Sequence, residues 1–198
     1  MVEIYKSTAV GPTRYEEEYF TRHAYLPYRD FPNHATRVDR IMRLTDPKSL
    51  LDVGCAYGYI VKRLVAKGVD AYGCDISNWC QLQAAKIIPG RFVLASADSL
   101  PFPDKRFDVV YCEGVMEHLT EQEVENAFKE FERVSQKRIL AVTFGKGNTS
   151  GHLCNHDVHW WYERMPRDSY LYTGEHDSSN VAPWWFKDAM GKLKVKRW

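Results

Sequence analysis

The stretch that most constrains this chain is Ser49-Leu50-Leu51-Asp52-Val53-Gly54-Cys55-Ala56-Tyr57-Gly58-Tyr59, with Ala71-Tyr72-Gly73-Cys74-Asp75 further on. An apolar run leads into small residues, a helix-like segment follows, and a second apolar run ends in a carboxylate. This order is the pattern of a βαβ unit with a glycine-rich first turn and an acid at the tip of its second strand. Small residues suit a turn whose backbone a ligand approaches closely, where a Cβ would intrude. Asp75, emerging beside that turn, has two oxygens to accept bonds from the vicinal hydroxyls of a ribose. Turn and acid together point to a nucleoside cofactor.

The acid two residues before the first glycine narrows the choice. Dinucleotide-binding turns read G-x-G-x-x-G and lead a helix N-terminus to a pyrophosphate. Asp52 instead suits a ligand carrying a positive amino group and repels a phosphate. Asp52-Val53-Gly54-Cys55-Ala56-Tyr57-Gly58 resembles motif I, D-x-G-x-G-x-G, of the class I S-adenosylmethionine (SAM) dependent methyltransferases, with Ala56 where the middle glycine is usual. The resemblance implies that Gly54, Cys55, Ala56 and Gly58 let the cofactor approach the backbone. It also implies that Asp52 meets the methionine amino group and that Asp75, with Ile76 beside it, holds the ribose.

Around this unit the chain alternates strand and helix. Val38, Ile41, Met42 and Leu44 fall near helical spacing between Asn33 and Leu44, and Asp46-Pro47 stops that helix. After the turn, Ile60, Val61, Leu64 and Val65 mark a helix ending at Lys67-Gly68. Asp70 to Asp75 is the second strand, Ser77 caps a helix running to about Ile87, and Arg91 to Ala95 is the third strand. Phe107 to Cys112 reads as a strand covered on both faces. Thr120 with Glu123 forms a capping box for a helix to about Val134, and Arg138 to Phe144 is the fifth strand. Alternation of this kind predicts an α/β fold with a doubly wound, mostly parallel, seven-stranded sheet, its ligand beyond the C-terminal strand edges.

The resemblance extends through the middle of the chain. Ser99-Leu100-Pro101-Phe102-Pro103, Phe107-Asp108-Val109-Val110 and Glu113-Gly114-Val115-Met116-Glu117-His118-Leu119 look like the middle motifs of the small-molecule branch of that family. It implies that Ser96 takes the adenine amino group where the family has an aspartate, with Asp98 a possible substitute. Ala97 would meet the ring edge, and Cys112 and Glu113 would line the methionine part. The Glu117-His118-Leu119 run is expected to anchor a helix start rather than to take part in chemistry.

Gly151 to Glu163 concentrates His152, Cys154, His156, Asp157 and His159 next to Trp160-Trp161. These are ligand types for a transition metal, but H-x-C-x-H-D-x-H matches no zinc spacing, and no metal is expected. Two other readings stay open, surface histidines in a variable loop and an acceptor-side base. The resemblance makes His152 the candidate catalytic base, with His156 or His159 in reserve. Trp160-Trp161 and Trp184-Trp185 could stack on a sugar, with core packing the competing use. Pro183 to Met190 reads as a helix, Lys192 to Trp198 as a final strand, and Tyr170 to Thr173 as a further one.

Residues 1–33, dense in Pro and aromatic side chains without periodicity, form an N-terminal arm or a lid over the cofactor, with a short helix at Tyr15 to Phe20. Residues 34–198 form the SAM-binding domain with a C-terminal acceptor side. With 198 residues there is room for one core, and 27 Lys plus Arg against 26 Asp plus Glu argue against a nucleic-acid surface. No long apolar run or signal peptide is seen, and Cys55, Cys74, Cys80, Cys112 and Cys154 read as reduced thiols, so a cytoplasmic protein without membrane partners is expected. The function expected is O- or N-methylation of a small-molecule or sugar acceptor. The alternative is a SAM-binding module without catalysis, and an NAD-dependent oxidoreductase is disfavoured by Asp52.

Overall fold

The computed structural model describes residues 12–22, 28–142, 152–172, 184–187 and 192–196. Two units divide the chain, Met1–Ala97 and Asp98–Trp198. In the first, helices α1 (Glu17–Arg22) and α2 (Pro32–Thr45) precede β1 (Ser49–Val53), α3 (Tyr59–Ala66), β2 (Asp70–Asp75), α4 (Asn78–Ile87) and β3 (Phe92–Leu94). Val38, Ile41 and Leu44 give α2 its buried face. The helix ends where expected, Asp46 turning left-handed (φ 42°) with its N–H on Met42 O, just before Pro47. The strands lie in the order β3-β2-β1. All pairs are parallel, with Leu51 opposite Tyr72 and Gly73 opposite Phe92.

The link from β1 to α3 is a bend held by its own backbone. Gly54 and Cys55 both donate to the carbonyl of Cys74 (2.8 and 3.0 Å), and Gly58 donates to that of Cys55 (2.9 Å). Gly54, Ala56 and Gly58 all adopt positive φ, 75°, 49° and 83°. Across from the bend, a Cβ on Gly73 would fall 2.5 Å from Cys55 Sγ, so the bare strand residue makes room for the thiol.

In the second unit β4 (Phe107–Glu113) is followed by a 3₁₀ turn (Met116–His118), α5 (Glu121–Val134), β5 (Ser135–Val142), α6 (Val158–Arg164), β6 (Ser169–Tyr172), β7 (Trp184–Lys187) and β8 (Leu193–Lys196). Phe107 to Cys112 are buried without a break, as a strand covered on both faces requires. The capping box at Thr120 and Glu123 is complete, and α5 buries Val124, Ala127, Phe131 and Val134. From its last turn Arg133 donates to the carbonyls of Leu100 (2.8 Å) and Phe102 (2.7 Å), while Glu130 accepts from Leu100 N (2.7 Å). Arg133 beside Glu130 holds that carboxyl below its usual range. The strand order is β4-β5-β6-β7-β8, parallel as far as β6 and antiparallel beyond.

Several boundaries differ from the sequence reading. The helix expected from Pro183 to Met190 is replaced at Trp184–Lys187 by β7, where Phe186 pairs with Tyr170 and Trp185 with Val195. Bulky aromatic residues fit a pleated surface, and pairing on both sides outweighs helical spacing. Three strands therefore follow β5, and the described residues hold eight strands rather than seven. β5 begins at Ser135 rather than Arg138 because α5 runs directly into it, Ser135 N–H capping Phe131 O; Phe144 lies outside the described residues. The short N-terminal helix spans Glu17–Arg22 rather than Tyr15 to Phe20, with a 3₁₀ turn at Pro12–Tyr15 before it. All five cysteines are buried and free.

The bend has one residue out of place and one irreplaceable. Ala56 carries a left-handed backbone that costs an L-residue about 1 kcal/mol, so Ala56→Gly should stabilise the chain by up to about that amount. Gly58 is left-handed too, and a Cβ there would collide with the Ile88 side chain. Gly58→Ala should therefore cost about 2 kcal/mol or more. Urea unfolding of the three proteins checks both signs, and equal midpoints would contradict the described bend.

Candidate functional site

The first unit concentrates most of the expected cofactor residues at one strand edge. Asp75, at the tip of β2, turns its carboxylate onto the bend: Oδ2 accepts from Ala56 N and Oδ1 from Ser77 N, each at 3.0 Å. Burial pushes its carboxyl above the usual range, while the backbone N–H groups of Ser77, Ala56 and Ile76 pull the other way. Asp52 is buried in β1, the strand that leads into the bend. Both acids bear on the Cys55 thiol, which burial first, then Asp52, then Asp75, push well above its ordinary value. The bend is thus a tight, backbone-lined cradle flanked by two carboxylates. Beyond β3, Ala95 donates to Asp75 O (3.0 Å). Ser96, half-buried, and the buried Ala97 follow directly.

The N-terminal segment packs over this cradle. Tyr28, half-buried, meets Tyr57 edge to face with ring centroids 4.7 Å apart, and Phe20 lies 5.3 Å from Tyr57. Burial, then the nearby charge of Asp52, push the Tyr28 hydroxyl far above its normal range, so it stays protonated. Trp79 Nε1 donates to the Tyr57 hydroxyl (2.7 Å). At the start of α4, Ser77 Oγ accepts from Cys80 N (3.0 Å). Glu16 completes this cap from the arm, its two oxygens accepting from Asn78 N (3.3 Å) and Trp79 N (3.1 Å). Trp79 is not singled out by the sequence, and Tyr28 and Glu16 stand out there only as members of the aromatic N-terminal segment, one of whose tyrosines is expected near the ligand. Nothing local to Glu16 says that it caps a helix more than sixty residues away.

In the second unit Cys112 is fully buried at the end of β4, and Glu113 follows it half-buried, accepting from the Tyr111 hydroxyl. The Glu117-His118 pair does not anchor α5 as expected. It sits in the 3₁₀ turn before that helix, whose start is built by Thr120 and Glu123. Glu117 instead anchors the distant histidine loop, its carbonyl accepting from Leu153 N (2.8 Å) and Cys154 N (3.1 Å). That places His152 edge to face on His118, ring centroids 4.9 Å apart.

The rest of the histidine loop is used structurally. Asp157 caps α6, accepting from His159 N (3.0 Å) and Trp160 N (3.1 Å). His156 Nε2 lies 2.8 Å from Glu121 Oε1, and its ring stacks on Trp160 at 4.1 Å. Arg164 covers Trp160 at 4.0 Å, and Trp161 is wholly buried. Trp160 and Trp161 are therefore no stacking platform for a sugar, because neighbouring side chains already occupy their ring faces. Cys154 is buried as well, so H-x-C-x-H-D-x-H does not converge as one cluster.

Against known proteins, residues 51–141 match the family described as "Methyltransferase domain". The matched stretch is somewhat under half of the 198 residues, and over it the chain is similar to methyltransferase domains. An uncharacterized methyltransferase of Geobacillus kaustophilus is 28% identical over 101 residues, 48% of this chain and 47% of that protein, so the chain spans about half of this relative's length. Among solved structures, the PH0226 protein of Pyrococcus horikoshii is similar at 25% identity, with a TM-score of 0.52 and 61% of each chain covered. YcgJ of Bacillus subtilis shares the fold at 18% identity, with a TM-score of 0.54 and 66% of each chain covered. A methyltransferase domain fits the α/β architecture described above, and SAM is the cofactor that family implies. The site suits that cofactor, since a cradle flanked by Asp52 and Asp75 favours a cationic amino-acid nucleoside over a pyrophosphate. Among the described residues no helix is long and apolar enough to cross a membrane.

Proposed function

We propose that this chain is a SAM-dependent methyltransferase acting at oxygen or nitrogen of a small-molecule or sugar acceptor. The observation that carries the reading is the bend at residues 54–58 with Asp52 and Asp75 on either side. When bound, SAM supplies a methyl group on a positively charged sulfur. Asp75 takes the ribose hydroxyls on lone pairs that Ala56 and Ser77 leave open, with Ile76 beside it, and Asp52 faces the amino group. The backbone of Gly54, Cys55, Ala56 and Gly58 admits close approach. Ser96 and Ala97 serve the adenine, while Cys112 and Glu113 serve the methionine part. The segment before residue 34 acts as a lid, with Tyr28 on its inner side next to Asp52.

On the acceptor side, an amine with a free lone pair needs little beyond positioning and desolvation. A hydroxyl acceptor must also lose a proton, and a neutral imidazole takes it at ordinary pH. His152 is the group proposed for that step, oriented by the ring of His118 and by the two bonds that pin its loop to Glu117. The acceptor class itself rests on the resemblance to the small-molecule branch of the family.

Two measurements test the assignment. Asp75→Ala should weaken binding of S-adenosylhomocysteine at least a hundredfold by calorimetry. It should also lower the unfolding midpoint, because the bonds to Ala56 and Ser77 go with the carboxylate. Unchanged affinity would remove Asp75 from the ribose. His152→Ala should cut turnover on a hydroxyl acceptor about a hundredfold or more while leaving cofactor affinity within twofold; full activity would exclude it as the base.

A further inference from the structure

The loop that carries His152 returns to Glu117-His118 and brings three metal-ligating side chains together. The coordinating atoms of Glu117, His118 and His152 all lie within 4.8 Å of one another. We propose that these three residues form a binding site for a divalent transition-metal ion. The inference rests on the methyltransferase reading only for what the metal would do, not for whether it binds.

The donor set is the first argument. Two imidazoles and one carboxylate suit zinc, ferrous iron and their neighbours rather than calcium or magnesium, which take all-oxygen sets. Three protein ligands leave coordination positions for water or a substrate oxygen, the arrangement of a working rather than a purely structural site. Burial is the second argument. Glu117 is only 1% exposed, whereas His118 and His152 are half-buried, so the carboxylate forms the floor and the imidazoles line a side reachable from solvent.

Backbone geometry is the third. Leu153 and Cys154 both donate to the carbonyl of Glu117 itself, so the loop is fixed to the residue that supplies the acid ligand. Those main-chain bonds hold the backbone next to His152 against that of Glu117, which brings the three side chains within reach of one another. A tetrahedral zinc site holds its ligand atoms about 3.4 Å apart, so closure from 4.8 Å needs side-chain rotation of little more than an ångström. The remaining candidates of the loop are committed elsewhere: Asp157 to the α6 cap, His156 to Glu121 and Trp160.

With a metal in place, His152 serves as a ligand. A hydroxyl acceptor that coordinated the ion would have its pKa lowered and give its proton to solvent, and its oxygen would take the methyl carbon as the methyl–sulfur bond breaks and its electron pair goes to sulfur, releasing neutral S-adenosylhomocysteine. A metal-dependent oxygen acceptor is the substrate class this favours over a free amine.

The test titrates the full chain, stripped with chelator, with Zn²⁺ alone by calorimetry, and separately follows Co²⁺ by its visible absorption. One ion per chain is expected, with inner-sphere cobalt bands. His152→Ala and His118→Gln should each weaken binding at least tenfold and leave S-adenosylhomocysteine affinity within twofold. His159→Ala, at an exposed histidine outside the trio, should bind as wild type. The proposal is overturned if wild type binds neither ion, or if both trio variants bind as tightly as wild type. It is equally overturned if His159→Ala removes the binding. Because no cofactor is present in the titration, absent metal binding together with intact cofactor binding would sink the site and spare the methyltransferase reading. Metal binding without cofactor binding would do the reverse.

Discussion

The bond from Ala56 N–H to the Asp75 carboxylate is the interaction on which the first unit's site depends. Nineteen residues separate its ends, yet it closes the loop between the β1 exit and the β2 tip. With it in place, the left-handed residues of the bend have a fixed partner, and the Cys74 carbonyl collects two further N–H groups from Gly54 and Cys55. The second oxygen of the same carboxylate reaches Ser77, the cap of α4. One side chain thereby sets the entries of both helices that flank the cradle. An amide at position 75 could accept one of these bonds but not both on equivalent terms, and it would carry no charge for them to stabilise.

Much of this was legible in the sequence because it is written in short-range chemistry. The glycines of the bend, the acid at the end of an apolar run, the Ser77 cap and the Thr120–Glu123 box each act within a few residues of their own position. Proximity in space follows almost directly from proximity in sequence there, with Asp75 added by the length of one βαβ unit. The departure at Ala56 was visible too, but not its meaning: only the observed φ of 49° shows that alanine sits where a glycine would be unstrained. The reason for Gly73 was invisible as well. Its neighbour is the Cys55 side chain across the sheet edge, not a ligand.

What the sequence concealed depends on long-range partners. Glu117 and His118 look like the start of a helix until the loop at Leu153 and Cys154 is seen bonded to them. Trp160 and Trp161 look available for a sugar until His156 and Arg164 close over one and the core takes the other. Trp184 to Lys187 has helical spacing in isolation, yet two neighbouring strands supply ladder partners and the aromatic residues extend. In each case the residue type was noticed for a sound reason, and the identity of its neighbour reversed the use. A histidine counts as a ligand, a base or a spacer according to what the chain folds beside it.

The same logic bears on the proposal that the cradle takes a cationic ligand although it is built like a phosphate site. Helix N-termini attract anions through their unpaired N–H groups and the helix dipole. Here the protein supplies its own anions. Glu16 from the arm takes the N–H groups of Asn78 and Trp79, Asp75 takes those of Ser77 and Ala56, and Asp52 is buried in the strand leading into α3. A pyrophosphate arriving at this edge would meet carboxylates where it needs donors, and at close range that repulsion outweighs any gain from the dipole. A nucleoside bearing an amino group and a sulfonium meets the opposite balance. Glu16 therefore has a consequence beyond capping: by filling the α4 terminus from the arm, it couples the position of the N-terminal segment to the electrostatic sign of the cradle beneath it.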